Sequence, residues 1–199
     1  MPQAKRIAIS TPYANTRDFC RTFYEETDSL YRLSFLLAAE RVKAEQCFVS
    51  GLKDSLKESR VFKEWAHSWA RRVIIQNAVR VIKPRPMGEN GPPNFNSSRK
   101  ALAAEPAEIA AILELAPFER FVYVMSVLER YSDQDCSVLL GCSRRDVNAA
   151  RIRALQQIGS VMELHVKPQV NVGSWKPALD DNCRAVLESQ LAPYLATSA

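Results

Sequence analysis

A run of proline, glycine and asparagine in the middle of the chain places the strongest limit on its fold. Residues 84–98 read PRPMGENGPPNFNSS, with four prolines, two glycines and three asparagines. Proline lacks the N–H that a helix or sheet needs, and glycine and asparagine favour turns. Such a stretch predicts an extended linker. We therefore expect two small helical domains, at residues 16–83 and 106–160, joined by a linker at 84–105 and followed by a C-terminal extension of unassigned role at 161–199.

The spacing of the apolar residues predicts an all-α protein. Apolar side chains recur at steps of three and four through both expected domains. The segments predicted as helices are 16–39 with a break near Thr27–Ser29, 44–56, 62–82, 106–115, 117–130 and 179–195. The first 15 residues lack this pattern and are expected to form a loose arm. A short alternating pattern occurs at His165–Lys176.

Two short helices around a tight turn are predicted at residues 131–157, YSDQDCSVLLGCSRRDVNAARIRALQQ. Ser132 and Asp135 have the spacing of a capping box, in which each residue satisfies a polar group of the other. Ser143 and Asp146 repeat this spacing. The repeat predicts that one helix starts after Ser132 and a second after Ser143.

The same stretch has the features of a DNA-binding helix-turn-helix. Gly141 stands where the first helix would end in a left-handed conformation. The second helix opens with Arg144, Arg145 and Asn148, whose side chains can all reach outward. Arginine can bind a guanine edge with two hydrogen bonds, and asparagine can do the same with adenine. The alternative is an ordinary helical hairpin with a solvated charged face, and this stretch alone favours neither.

A line of tryptophans and basic residues follows one side of the strongest predicted helix, 62–82. Nearly opposite its apolar arc, at steps of three and four, lie Trp65, Trp69, Arg72, Gln76, Arg80 and Lys83. Indole rings can stack on unpaired bases, worth ~1–3 kcal/mol each, while basic side chains follow the phosphates of a single strand. Alternatively both tryptophans are core residues, and we expect at least one of them to be buried.

Positive charge is concentrated around this helix. The chain has a net charge of +5 and a pI near 9.0. Residues 60–85 hold seven Arg and Lys against a single Glu, a net charge of +6, whereas residues 18–58 carry a net charge of −2. A local excess of this kind is typical of a nucleic-acid-binding surface.

Several classes of function have no support in the residues. The five cysteines form no CxxC pair and only two histidines are present, so we expect no metal site. No nucleophile set, paired carboxylates or phosphate-binding glycine loop indicates an enzyme, a cofactor or a small-molecule substrate. No segment has the apolar length of a signal peptide or a membrane span. We expect a soluble cytoplasmic protein with reduced, mostly buried thiols and no membrane partner.

Taken in order, the segments of the first expected domain resemble region two of a bacterial RNA polymerase sigma factor of the small extracytoplasmic-function group. Residues 30–33, LYRL, and 44–46, AEQ, are similar to the family's LYRxA and AED. Residues 69–80, WARRVIIQNAVR, are similar to its WLxxIARNxxIDxLR helix.

The second expected domain resembles region four of the same family. Residues 115–120, LAPFER, are similar to LPxxxR. Residues 132–143 follow SxEEIAExLGxS, and residues 147–154 keep the spacing of VKSRLxRAR. The resemblance covers both domains in the family's order, roughly 140 of the 199 residues, with the linker between them.

Departures from the family's motifs indicate a divergent member. Gln46 and Val49 stand where the family has Asp and Gln, on the surface that docks on polymerase. Arg72 and Gln76 replace an Asn and an Asp, and Ala150 replaces an Arg.

The resemblance implies a promoter-specificity subunit that recruits RNA polymerase core to promoter DNA for transcription initiation, with an anti-sigma protein as a further candidate partner. The first domain would bind polymerase through Glu45, Gln46 and Val49. The residues implied to bind the unwound minus-ten strand are Trp65, Trp69, Arg72, Gln76 and Arg80. The linker would thread toward the polymerase active-site channel.

For the second domain the resemblance implies recognition of the minus-thirty-five duplex by Arg144, Arg145 and Asn148, with Arg153 on a phosphate. The alternative is a sigma-derived DNA-binding regulator or interaction protein that no longer binds core polymerase, which the departures in region two favour. The extension at 161–199 would then be a partner-binding segment, or in either case one that masks the DNA-binding surfaces.

Overall fold

The computed structural model describes residues 12–57, 60–86, 105–164 and 172–195. Within these ranges the chain forms nine α-helices and no β-strand, so the prediction of an all-α protein is confirmed there. The helices are α1 (Thr16–Glu25), α2 (Thr27–Ala38), α3 (Arg41–Ser55), α4 (Ala66–Ile82), α5 (Ala107–Glu114), α6 (Pro117–Tyr123), α7 (Asp133–Leu140), α8 (Arg144–Leu164) and α9 (Asp181–Leu195). Most of the predicted linker and of the N-terminal arm, and part of the alternating pattern at His165–Lys176, lie outside the described residues.

Helices α1 to α4 form the first helix group. Asn15 caps α1, since its side-chain oxygen accepts the Asp18 N–H at 3.0 Å and Asp18 accepts the Asn15 N–H at 2.9 Å. The break between α1 and α2 falls at Glu26, one residue before the predicted position. Gly51 lets α3 approach α4 closely, because a Cβ at this position would lie 2.5 Å from the Ile74 side chain.

Helices α5 to α8 form the second helix group, and the starts of α7 and α8 follow the predicted capping pattern. The Asp135 N–H donates to the Ser132 hydroxyl at the start of α7, at 3.1 Å. Helix α7 ends at Gly141, whose φ of 64° is the left-handed conformation that glycine adopts without strain. The predicted capping residues and the predicted glycine end are confirmed.

A wide turn interrupts the second group between α6 and α7. Residues Val124–Leu128 form a π-helical turn, closed by the Glu129 N–H, which donates to the Val124 carbonyl at 2.9 Å. Such a turn inserts one extra residue and so changes where the following side chains point. Here it is followed by Glu129, whose carboxylate reaches the first helix group.

The two helix groups share one hydrophobic core among the described residues. Helix α2 packs against α5, α6 and the π-helical turn, and α4 contacts α7. Buried Arg120 of α6 donates to the carbonyl of Leu37, at the end of α2, at 3.2 Å, and to those of Leu113 and Leu115 at 3.3 and 2.9 Å. Burial lowers the pKa of Arg120 to about 10. Division into two domains, at 16–83 and 106–160, stays a prediction.

The C-terminal segment packs on the first helix group. Residues 172–180 run without regular helix, and α9 then contacts α1 and α3. Cys183, Leu187 and Leu191 on one side of α9 join the core. None of the described helices combines the length and the apolar character that crossing a bilayer requires.

All five cysteines lie in the described residues as free thiols, four of them buried and Cys142 half-buried. Burial raises the pKa of Cys20, Cys47, Cys136 and Cys183 to about 11. These four thiols are therefore protonated at neutral pH, and the prediction of mostly buried thiols is confirmed.

Candidate nucleic-acid interface

The first turn and a half of α8 presents three polar side chains on an anchored helix. Arg144, Arg145 and Asn148 are exposed, whereas Val147 and Ala150 of the same helix are fully buried. A helix fixed along one side by core packing holds its opposite side in a defined orientation. The three residues predicted to bind DNA are therefore together and accessible.

A reciprocal cap fixes the start of α8. The Ser143 N–H donates to Asp146 at 3.0 Å, and the Asp146 N–H donates to the Ser143 hydroxyl at 3.1 Å. The hydrogen bonds from the side chain and backbone of Ser143 lower the pKa of Asp146 below its ordinary 3.8. Because Ser143 and Asp146 form the cap, the neighbouring Arg144 and Arg145 side chains take no part in capping the helix.

Arg151 orients Asn148, a role that the sequence analysis missed. Its guanidinium binds the Asp133 carboxylate of α7 and donates to the Asn148 side-chain oxygen at 3.0 Å. This contact sets which way the Asn148 amide faces, while its second oxygen lone pair and its NH2 group remain for a ligand. The three-residue spacing of Asn148 and Arg151 on one helix was the available signal.

Arg153 is already paired. Its Nε and Nη2 donate to the Glu119 carboxylate at 3.1 and 2.7 Å, and Glu119 is buried. Removing Arg153 from this carboxylate would leave a buried charge without its partner, which is costly. Any contact of Arg153 with a phosphate would compete with this ion pair.

An exposed aromatic cluster lies at the start of α4. The Ala14 N–H donates to the Val61 carbonyl at 2.7 Å and the Lys63 N–H to the Pro12 carbonyl at 3.0 Å. The residues between these bonds, Tyr13 and Phe62, therefore face each other as a non-hydrogen-bonded antiparallel pair, which brings side chains close.

The three rings of this aromatic cluster are Tyr13, Phe62 and Trp65. Tyr13 stacks on Phe62 with ring centroids 5.0 Å apart, and Trp65 meets Phe62 edge-on at 5.4 Å. Trp65 is 59% exposed. Tyr13 and Phe62 were not among the predicted site residues, because an isolated bridge between an N-terminal arm and a loop has no periodic pattern in the sequence.

The remaining residues of the predicted row along α4 are unevenly accessible. Trp69 is half-buried against a small apolar cluster, and its indole N–H is buried without a hydrogen-bond partner. Arg72 and Gln76 are half-buried, and the charge of Arg72 acts on Tyr131 of the second helix group. Arg80 is exposed and donates to Asp54 and Asn77, at 3.4 and 3.1 Å. The two tryptophans thus have different environments: Trp65 is exposed, whereas Trp69 is half-buried against the rest of the protein.

The residues predicted to bind polymerase lie on α3. Gln46 is exposed, whereas Glu45 and Val49 are half-buried. One oxygen of the Glu45 carboxylate is buried without a hydrogen-bond partner, and Val49 packs against the core. Of the three, Gln46 is the most accessible.

No cluster of His, Cys, Asp and Glu in the described part of the chain has the arrangement of a metal site. Comparison of the chain with protein-family models, with curated proteins and with solved structures gives no match. Two surfaces of the described residues are the candidates for function, namely the exposed basic start of α8 and the aromatic cluster beside α4.

Proposed function

We propose that the chain is a promoter-specificity subunit of bacterial RNA polymerase, a divergent sigma factor of the extracytoplasmic-function type. It recruits polymerase core to promoter DNA in the cytoplasm, and the polymerase performs the chemistry. The observation that carries this proposal is the exposure of Arg144, Arg145 and Asn148 together on the first turn and a half of α8. The N-terminal residues of a recognition helix are the ones that contact base edges in helix-turn-helix proteins.

In the proposed complex, α7, the Gly141 turn and α8 act as a helix-turn-helix on the minus-thirty-five duplex. Arg144 and Arg145 are suited to guanine edges, and Asn148, oriented by Arg151, is suited to adenine. Each good two-hydrogen-bond contact discriminates against a wrong base by ~1–3 kcal/mol. Arg153 has the lesser role of a phosphate contact in competition with its pairing to Glu119.

The unwound minus-ten strand is proposed to bind at the aromatic cluster and along α4. Every base has a π face, so exposed rings can hold a melted strand with little dependence on sequence. Trp65, Phe62 and Tyr13 offer such rings, and the local charge of +6 over residues 60–85 attracts the phosphates. Trp69, Arg72 and Gln76 extend this path, and Arg80 stands at its far end.

Polymerase core is proposed to bind the α3 surface around Glu45, Gln46 and Val49. The alternative is a sigma-derived regulator that has lost polymerase binding. One observation favours it, which is that Glu45 and Val49 are half-buried, leaving Gln46 as the accessible member of the set. An anti-sigma protein is a further partner that the same surfaces could bind.

A reconstitution tests the proposal. The purified chain would be mixed with bacterial core polymerase, binding measured by fluorescence anisotropy, and the DNA bound by the complex selected from a random duplex library. We expect core binding and enrichment of a defined sequence. Replacing Arg144 by Ala should weaken binding to the selected site by about 5- to 150-fold relative to a scrambled site. Arg184→Ala, which removes an exposed arginine of α9, is the matched control and should change neither.

Two outcomes contradict the proposal in different ways. Selective DNA binding without core binding would replace it with the regulator alternative. Core binding with no enriched sequence, or with equal losses from Arg144→Ala on all sequences, would show that α8 does not read base edges.

A further inference from the structure

The C-terminal segment Val172–Leu195 covers one face of the first helix group. Its helix α9 has Cys183, Leu187 and Leu191 buried at steps of four, which makes one apolar stripe. The stripe lies against α1 and α3, and the other sides of α9 are mostly exposed. The helix therefore packs as an added layer with a single apolar contact.

The residues before α9 hold the segment across α2. The Arg32 guanidinium donates to the carbonyls of Gly173 and Trp175, at 2.6 and 3.2 Å. The Trp175 ring lies 5.7 Å from that of Phe35, and its indole N–H donates to Glu105 at 2.8 Å. Directed bonds of this kind give the segment one defined path over α2.

Glu45, one of the residues proposed to bind polymerase, lies close to the covering helix. Burial, and then the negative charge of Glu45, raise the pKa of the Cys183 thiol to about 11. The same two causes, in the same order, raise the pKa of Tyr31. Glu45, Tyr31 and Gln190 of α9 each keep a buried side-chain oxygen without a hydrogen-bond partner. A partner that supplied donors there would satisfy groups that the cover leaves unsatisfied.

The edge of the cover is also incompletely packed. A partly open pocket of about 170 Å³ is lined there by α2, by Arg71 of α4, by the end of the π-helical turn, and by Val172 and Gly173 of the covering segment. This pocket and the unsatisfied oxygens mark places where contact between the cover and the first helix group is incomplete.

We propose that Val172–Leu195 is a displaceable cover that competes with polymerase for the α1–α2–α3 face around Glu45. This inference rests on the proposed function, because polymerase is the competing partner. Masking of the DNA-binding surfaces was one of the two roles predicted for residues 161–199. The covering segment instead contacts α1, α2 and α3, while Arg144, Arg145 and Asn148 remain exposed.

Competition of this kind has a measurable consequence. If only the uncovered state binds polymerase, the apparent Kd is the intrinsic Kd divided by the uncovered fraction. Leu187→Asp in the full chain places a charge in the apolar stripe and shifts the equilibrium toward the uncovered state. Ala185→Asp adds the same charge on an exposed side of α9 and is the matched control.

We expect Leu187→Asp to bind core polymerase at least roughly tenfold more tightly than the wild type, with Ala185→Asp unchanged. Maleimide labelling mapped by mass spectrometry supplies a second measurement. Core polymerase should accelerate labelling of Cys183 in the wild type but not of Cys136, which is buried in the second helix group. Circular dichroism checks that each variant is folded. Should Leu187→Asp not fold, Trp175→Ala weakens the cover outside α9 and is expected to act in the same direction.

The possible failures are distinguishable. If the folded cover variants bind polymerase with the wild-type Kd and Cys183 stays protected in the complex, the cover is overturned while polymerase binding stands. If neither the wild type nor any variant binds core polymerase, the proposed function fails and the cover, as a competitor of polymerase, fails with it.

Discussion

The ion pair between Arg71 and Glu129 joins the two helix groups, and its removal should destabilise the whole chain. Arg71 of α4 donates to both oxygens of Glu129, the Nε contact being 2.6 Å, and to the Ser29 hydroxyl at 2.8 Å. Burial opposes the charged form of Arg71, but its hydrogen bonds to Glu129 and the charge of Glu129 outweigh this and raise its pKa overall. The pair is thus well satisfied as long as both partners are present.

The expected magnitude follows from the burial of the pair. Removing one partner of a buried ion pair costs ~3–5 kcal/mol, because the other charge is left in a poorly solvated site. The Arg71 and Glu129 side chains are 18% and 12% exposed, so water screens part of this cost. We expect Arg71→Met to lower the free energy of unfolding by about 3 kcal/mol. The double variant Arg71→Met with Glu129→Met removes both charges and should return to within about 1 kcal/mol of the wild type.

Urea unfolding followed by both circular dichroism and tryptophan fluorescence measures these differences. Arg80→Met is the control, since Arg80 lies on the same helix with its side chain 67% exposed beside Asp54, and should cost less than about 1 kcal/mol. A shared core predicts one transition by both probes. Two separate transitions, with Arg71→Met within about 0.5 kcal/mol of the wild type, would refute the shared core and favour two independent domains.

Two pairs of substitutions and one titration further test the fold, by thermal or urea unfolding and by NMR. Gly141→Ala should lower the free energy of unfolding by about 1–2 kcal/mol, because Gly141 has a φ of 64°. Gly159→Ala, in the interior of α8 with open space around it, should raise it by about 0.5–1 kcal/mol. Changes of the same sign in the two variants would contradict this explanation from backbone conformation. Val147→Asp buries an unpaired charge and should cost about 4 kcal/mol or more, while Val138→Asp, at a 62% exposed site, should be tolerated. The pKa of Asp146 in the folded protein lies below its ordinary value of 3.8. The stability that this cap contributes is therefore fully present above the ordinary value and is lost as the pH falls through the folded pKa. An NMR titration that gives Asp146 a pKa of 3.8 or higher would contradict the cap.

Local chemistry explains why the sequence predicted the helices and their ends. Ser132 and Ser143 act on backbone groups within three residues, and Gly141 acts on its own backbone, so their effects are visible in a short window of sequence. The helical periodicity in the first group is equally local. The predicted start of the third helix at Ala44 was late, because α3 begins at Arg41 and residues 41–43, which are Arg, Val and Lys, form its exposed first turn.

Contacts between residues distant in sequence could not be predicted from short windows of sequence. Tyr13 and Phe62 are 49 positions apart and meet through a single bridge. The Arg71–Glu129 pair joins residues 58 positions apart. Trp65 and Trp69 belong to the same predicted row, yet only tertiary packing decides that Trp65 is exposed and Trp69 half-buried. Periodicity identifies the side of a helix, but the partner of that side is set by the rest of the chain.

Helix α4 carries both Arg71, which makes the ion pair between the helix groups, and the row of residues proposed to bind a single strand. Stability and the proposed strand binding are therefore connected. Burial raises the pKa of Tyr131 in the second helix group, and the charge of Arg72 is near enough to oppose that rise. Arg72 therefore lies near the contact between the helix groups that Arg71 and Glu129 hold together, and a strand bound along the full row would compete with α7 for this side of α4. Trp65, which is 59% exposed, would make the first contact. Under the proposed function, Arg71→Met should then bind single-stranded DNA more tightly than the wild type despite losing a positive charge, because a weaker contact between the helix groups exposes Arg72. Weaker binding would mean that charge, and not access to α4, limits the interaction.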